Sequence, residues 1–171
     1  MTGFEPLELV PYETADQTGV IAVIEGCYAG YDQRIELDTL DSDLQRIDEV
    51  FAGARSAFWV LKDAGKVIGS VAVKAGEPGD CELKRVFLDA TYRRRGLGQR
   101  MVKFAAHWAA EQGYQVMHIW SDVLYIPAHT LYCKLGAEHD GLRRPLGGVN
   151  NVDEFYFRLP LEGWRQQTTG G

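Results

Sequence analysis

The chain has 171 residues, 46% of them hydrophobic and 25% charged, with a formal net charge of −6. That length suits one domain able to bury a core without metals or disulfides, and the composition argues against wholesale disorder. The acidic balance argues against a nucleic-acid binder held by phosphate contacts, while leaving room for an acidic groove that draws in cations.

The three cysteines, Cys27, Cys81 and Cys133, are widely spaced and form no CxxC. They read as reduced thiols of a cytoplasmic protein rather than as a disulfide framework. No basic segment precedes an apolar core at the N-terminus, and no run of about 18 apolar residues exists, so neither a signal peptide nor a membrane partner is expected. The four histidines are scattered without ligand spacing, so no metal is expected either.

In chain order, residues 7–10 read as a short strand. Over 14–31, Val20, Val23, Ile24 and Cys27 recur at helical spacing, with Thr14 or Asp16 as N-cap and Gly26 or Gly30 near the end. Over 41–51, Leu44, Ile47, Val50 and Phe51 share a helical face, capped from 41–43. The loop between them carries Tyr28, Tyr31 and Asp32, and reads either as plain surface or as the wall of a substrate cleft. Residues 57–73 form a hairpin about Asp63-Ala64-Gly65. A second turn at 76–80 leads to a third antiparallel strand through 83–88. Its alternation places Glu82, Lys84 and Val86 on one face and Leu83, Arg85 and Phe87 on the other.

A cluster, Arg93-Arg94-Arg95-Gly96-Leu97-Gly98, then gives way to helical spacing through Met101, Phe104, Ala105 and Trp108, predicting a helix to about residue 112. A strand follows over 115–120. A short helix spans 126–135, opened by Pro127 and closed by Gly136. A loop over 143–151 precedes a last strand over 154–159, and the polar tail 166–171 is expected to fray. The pattern predicts an α/β (α+β) domain over residues 1–165, with a mixed, mostly antiparallel sheet flanked by helices.

The strand–glycine turn–helix unit is the chemically informative one. Such a turn lets backbone approach an anion, while the helix start supplies unpaired N–H groups and positive dipole charge. Three adjacent arginines point to an anion with more than one phosphate. A dinucleotide fingerprint fits poorly, because Met101 stands where the third glycine belongs, and no Gly-Lys-Ser/Thr follows to make a P-loop. Arg93-x-x-Gly96-x-Gly98 after a strand, followed one helix and one strand later by Ala128-x-x-Leu131-Tyr132-x-Lys134-x-Gly136, resembles the two signatures of the GNAT superfamily of N-acetyltransferases. The match covers about residues 58–159. Residues 1–55, which in that superfamily shape the acceptor site, agree only in their layout of strand, helix and helix.

The resemblance implies acetyl-CoA as co-substrate and a primary amine as acceptor, in a protein that is a monomer or homodimer. Backbone amides of Arg94, Arg95, Gly96, Leu97, Gly98 and Gln99 would hold the pyrophosphate, with Arg93 and Arg95 adding charge. Exposed backbone along Val86, Phe87 and Leu88 would pair with the pantetheine arm, with Ala128 and position 125 beside it. Tyr125 stands where many members have an asparagine that contacts the coenzyme, and Ala137 where an aromatic is frequent. Tyr132 matches the tyrosine that protonates the departing thiolate.

An alkylamine with a pKa of about 10.4 lies roughly 3.4 units above pH 7, so freeing its lone pair costs about 4.6 kcal/mol and a base is useful. Glu82, in an E-L-x-R context similar to the superfamily's, is the candidate base, with Asp122 the alternative. An ion pair with Lys84 or Arg85 is the structural reading of Glu82, and helix capping near Pro127 that of Asp122. The loop over 147–151 reads as either an acceptor wall or a plain turn. His107 reads as a packing residue, and His129 approaches the cleft at most. Two alternatives stay open: an acyl-CoA-binding regulatory module without turnover, and an acyltransferase using a hydroxyl acceptor or a longer acyl-CoA.

Overall fold

The computed structural model describes residues 7–165; the tail expected to fray lies outside them. The strands in this range are β1 (Glu8–Pro11), β2 (Ala57–Asp63), β3 (Lys66–Ala75), β4 (Asp80–Leu88), β5 (Val116–Asp122), β6 (Arg143–Gly147) and β7 (Val152–Pro160). They make one sheet in the order β1-β2-β3-β4-β5-β7-β6. Every neighbouring pair is antiparallel except β4 with β5. Helices α1 (Gln17–Ala29) and α2 (Ile47–Val50) cover one face, and α3 (Leu97–Glu111) and α4 (Ile126–Lys134) the other. This is the mixed, mostly antiparallel α/β architecture that the pattern of strands and helices predicts.

Local chemistry explains most elements. The β2–β3 hairpin turns through Ala64 and Gly65 at φ of 47° and 82°, a left-handed pair whose twist matches that of the strands. On α3, Met101, Val102, Ala105, Ala106 and Ala109 make a buried stripe whose alanines let the helix approach closely. It meets β3 at Gly69, where an added Cβ would lie 3.0 Å from the Phe87 carbonyl oxygen and 3.2 Å from the Met101 sulfur. No helix among the described residues is long and apolar enough to cross a membrane.

Three expectations need correction. Residues 41–51 do not form one helix. A 3-10 turn (Ser42–Gln45) and the single turn of α2 are separated by Arg46 at φ −139°. Asp41 and Asp43, expected to cap that helix, instead reach across to Arg85.

The supposed loop over 143–151 contains strand β6, paired with β7. Its Arg-Arg-Pro-Leu-Gly sequence lacks strand alternation, but a proline is tolerated on an edge strand, where its missing donor faces outward.

Side-chain alternation along β4 breaks at a bulge. Ser70 pairs with Phe87 and Ala72 with Lys84, so β4 carries one extra residue there, and Arg85 adopts φ 54°. The bulge reverses the phase. Arg85 and Phe87 face α1 with Glu82, while Val86 and Leu88 pack on the α3 side with Leu83.

Candidate active site

The bulge also decides where the sheet opens. Parallel pairing of β4 with β5 runs only from Asp80 to Leu83 against Val116 to Ile119. Beyond it the strands part, and the wedge holds two cavities that share Val86, Phe87, Tyr125 and Ala128 as a common wall.

The groove on the α3 side has a volume of about 470 Å³. Arg93, Arg94, Gly96, Leu97, Gly98, Val86, Phe87, Leu88 and Ala128, all named above as candidates, line it together. Gly96 is the N-cap of α3 at φ 74° and offers no side chain to cap the helix. The first backbone bond into the helix is from the Arg100 N–H to the Gly96 carbonyl, so the N–H groups of Leu97, Gly98 and Gln99 are left for another acceptor. A Cβ at Gly96 would meet nothing within 4 Å, and one at Gly98 only Leu131 at 3.9 Å. The turn is therefore an open cradle, and its donor set fits a phosphorylated molecule.

Of the two arginines expected to add charge, Arg93 lines the groove, while the Arg95 guanidinium lies over the Tyr92 ring, 5.2 Å from its centre, and does not. Cys27 does line it, a residue that sequence spacing left in a helix core. Its thiol donates to the Leu88 carbonyl at 3.3 Å and accepts from Arg93 at 3.7 Å; burial pushes its pKa up.

The second cavity, about 200 Å³, lies between β4, β5, the loop over 33–41 and the β6–β7 hairpin. Glu82, Asp122 and Tyr132 all line it. Tyr132 is buried, its ring edge-on to Phe157 at 5.6 Å. Among the described residues its hydroxyl has no hydrogen-bond partner, yet no fully buried side-chain oxygen or nitrogen is unsatisfied. The hydroxyl therefore opens to the cavity. Burial pushes its pKa up, which keeps it a proton donor.

Glu82 is half-buried and 3.5 Å from the Lys84 ammonium, the ion pair named above as its structural reading. Asp122 is buried at the end of β5. It accepts from the Gln33 side chain at 2.6 Å and from the Leu124 N–H at 2.8 Å. It closes an Asx turn rather than capping α4, whose N-cap is Tyr125. Tyr125 donates to Gln33 at 2.9 Å, so Asp122, Gln33 and Tyr125 form one chain of bonds between the two cavities. Burial raises the Tyr125 pKa as well.

Sequence reasoning missed the buried ionic brace beneath the cavity. Arg85 binds Asp43 through Nε at 2.9 Å and through Nη2, and Asp41 through Nη1 at 2.9 Å. Tyr28 donates to the same Asp41 at 2.9 Å, and Asp41 accepts from the Glu36 N–H at 2.8 Å. The brace fixes the loop over 33–41 against the bulge. From the other side Asn150 clasps that loop: its amide oxygen accepts from the Arg34 N–H and its amide nitrogen donates to the Arg34 carbonyl, both at 2.8 Å. The loop over 147–151 is thus a strap over the cavity, with Asn150 among its lining residues. His129 bonds Ser121 at 3.1 Å, with its pKa lowered by burial, and His107 bonds the Trp164 carbonyl on the far side of α3.

Comparison with known proteins agrees with this fold. A family model described as the acetyltransferase (GNAT) family matches residues 16–137. An N-acetylaspartate synthetase of Xenopus tropicalis is 30% identical over 118 residues, which cover 66% of this chain and 44% of that protein. The chain spans about half the length of the curated relatives it matches. A GNAT-family acetyltransferase from Staphylococcus aureus Mu50 superposes with a TM-score of 0.80 at 16% identity, covering 92% of this chain and 100% of that one. A Salmonella typhimurium structure described with its cofactor acetyl-CoA gives a TM-score of 0.70 at 16% identity, covering 92% and 95%.

Proposed function

The chain belongs to the GNAT acetyltransferase family, and from that premise we propose that it transfers an acetyl group from acetyl-CoA to a primary amine by direct attack in a ternary complex. The observation that carries this reading is the pair of cavities meeting in the β4–β5 wedge. One has an open helix N-terminus and two arginines, the other three candidate proton-transfer groups.

In this reading acetyl-CoA supplies an activated acyl group as a thioester. The N–H groups of Leu97, Gly98 and Gln99 hold its diphosphate, with Arg93 and Arg94 adding charge. The β4 edge past the bulge, which β5 leaves unpaired, offers backbone groups of Val86 and Leu88 to the pantetheine amides. The Leu88 carbonyl already accepts the Cys27 thiol and keeps a second lone pair.

Glu82, 3.5 Å from the Lys84 ammonium, takes a proton from the entering ammonium, directly or through water. The amine nitrogen forms the new C–N bond as the C–S bond breaks; Tyr132 gives its proton to the leaving thiolate, and the second proton shed by the nitrogen as the amide forms returns to the tyrosinate through solvent. Asp122, tied by two hydrogen bonds, serves the amine electrostatically rather than as the base.

We further propose that residues 1–165 act as one unit, since β1 and β7 belong to the same sheet. An amino acid, the kind of acceptor in the Xenopus relative's name, falls within the amine class. Thiol release from acetyl-CoA across a panel of amines tests the reading. Amine-dependent release with acetylated amine in the mass spectrum is expected. Saturable acetyl-CoA binding without release for any amine would turn the reading toward a regulatory module.

A further inference from the structure

The acceptor cavity has an uneven charge and an uneven polarity, and together they describe its ligand. Its three cations are already matched: Lys84 lies 3.5 Å from Glu82, Arg85 2.9 Å from Asp41, and Arg144 2.9 Å from Glu154. Two lining carboxylates are not. Asp122 accepts only from an amide and a backbone N–H. Glu36 accepts only from the Thr39 hydroxyl and the Val149 N–H. Among the described residues neither forms an ion pair, so the cavity favours a positive ligand and offers no free cation to a carboxylate.

The outer part is apolar. Leu40, from the loop over 33–41, and Leu146, from β6, both line the cavity while 40% and 37% exposed, and Val149 at the tip of the strap is 69% exposed. Scattered exposed leucines are ordinary, but these come from two segments that Asn150 and Glu36 bind to each other at one mouth. Trp120 continues the apolar surface inward, with the Arg144 guanidinium 4.0 Å above its ring.

We propose that the acceptor is an amphiphilic primary amine, an alkyl- or arylalkylamine with no carboxylate on its amine-bearing carbon. Its ammonium lies toward Asp122, and its apolar body lies against Leu40, Leu146 and Trp120 under the strap. A carboxylate beside the amine would enter where Asp122 and Glu82 already stand, with every nearby cation engaged, so like charges would oppose it.

This inference rests on the acetyl-transfer reading, and one experiment separates the two. Acetyl-CoA binding is measured by calorimetry and thiol release by a colorimetric assay, using phenethylamine, phenylalanine, aspartate and ethanolamine. Phenethylamine should exceed phenylalanine and aspartate in kcat/KM by at least about tenfold, and exceed ethanolamine by a similar factor. Leu146→Ser should raise the phenethylamine KM about fivefold while leaving the acetyl-CoA KM within about twofold. Turnover of a carboxylated amine at an equal or higher kcat/KM overturns the inference and leaves acetyl transfer standing. So does an unchanged phenethylamine KM in Leu146→Ser. Coenzyme binding with no thiol release from any amine overturns both.

Discussion

Tyr132 combines burial with a hydroxyl that no described neighbour binds, and this makes its proposed role sharp enough to test. Tyr132→Phe removes one oxygen from a site already lined by protein on most sides, so folding and coenzyme affinity should change little. If the hydroxyl is the acid, kcat should fall by about 10²-fold, with the acetyl-CoA dissociation constant within about threefold of the original, read by single-turnover kinetics and calorimetry. Burial raises the Tyr132 pKa, so its proton is retained through the ordinary phenol value of about 10. The kcat profile should therefore show no alkaline descent from this group below about pH 10. Glu82→Gln should cost about 10²-fold in kcat/KM, because a glutamine cannot take the ammonium proton. Asp122→Asn keeps an acceptor for Gln33 and Leu124, and should act mainly on the amine KM. If Asp122→Asn rather than Glu82→Gln brings the larger loss of kcat/KM, the two roles exchange. That Tyr132 and Glu82 reach the cavity could be anticipated from the sequence, because each sits in a local motif. Arg85 was not: its partners Asp41 and Asp43 lie 44 and 42 residues away, and its direction depends on a bulge that no strand alternation foretells.

Among the elements, the α3–β3 contact and the strap carry the clearest predictions. Gly69→Ala would press a methyl group to 3.0 Å from the Phe87 carbonyl and 3.2 Å from the Met101 sulfur, forcing α3 off the sheet. A loss of about 1–3 kcal/mol is expected in urea unfolding, as for other overpacked cores. The same shift would disturb the cradle at Gly96, so the acetyl-CoA affinity should weaken with it. In the strap, Asn150→Ala removes both bonds to Arg34, and amide exchange at Arg34 should rise by about tenfold or more while global stability holds. The strands and helices that the sequence made plain, the β2–β3 hairpin and α3 above all, are those with neighbours close in the chain. Strand β6 pairs with the neighbouring β7 but was hidden because its Arg-Arg-Pro-Leu-Gly sequence lacks alternation. The broken helix at Arg46 and the clasp of Asn150 on Arg34 depend on partners as far as 116 residues away, and local propensity says nothing of them.

For the whole molecule, buried acids that stay neutral set the alkaline limit of stability. Burial pushes Cys81 up to about 12 from 9.0, and raises Tyr28 and Tyr132 above 10.0. On unfolding these groups return to ordinary values and release protons once the pH exceeds them. Their contribution is complete below about pH 9 and is lost as the pH rises through the raised native values, so the Tm followed by circular dichroism should fall from about pH 9 and steepen past about pH 10. The β4–β5 wedge has a different kind of consequence. Four rungs, from Asp80 to Leu83, are all the strand pairing that joins β1–β4 to β5–β7 among the described residues. The sheet has a seam there, held shut at one end and open at the other like a partly drawn zipper. On the proposed reading, a long, flexible coenzyme lodged along the open end would touch both halves and act as a rivet, so the protein's resistance to being pulled apart would rise and fall with the supply of acetyl-CoA.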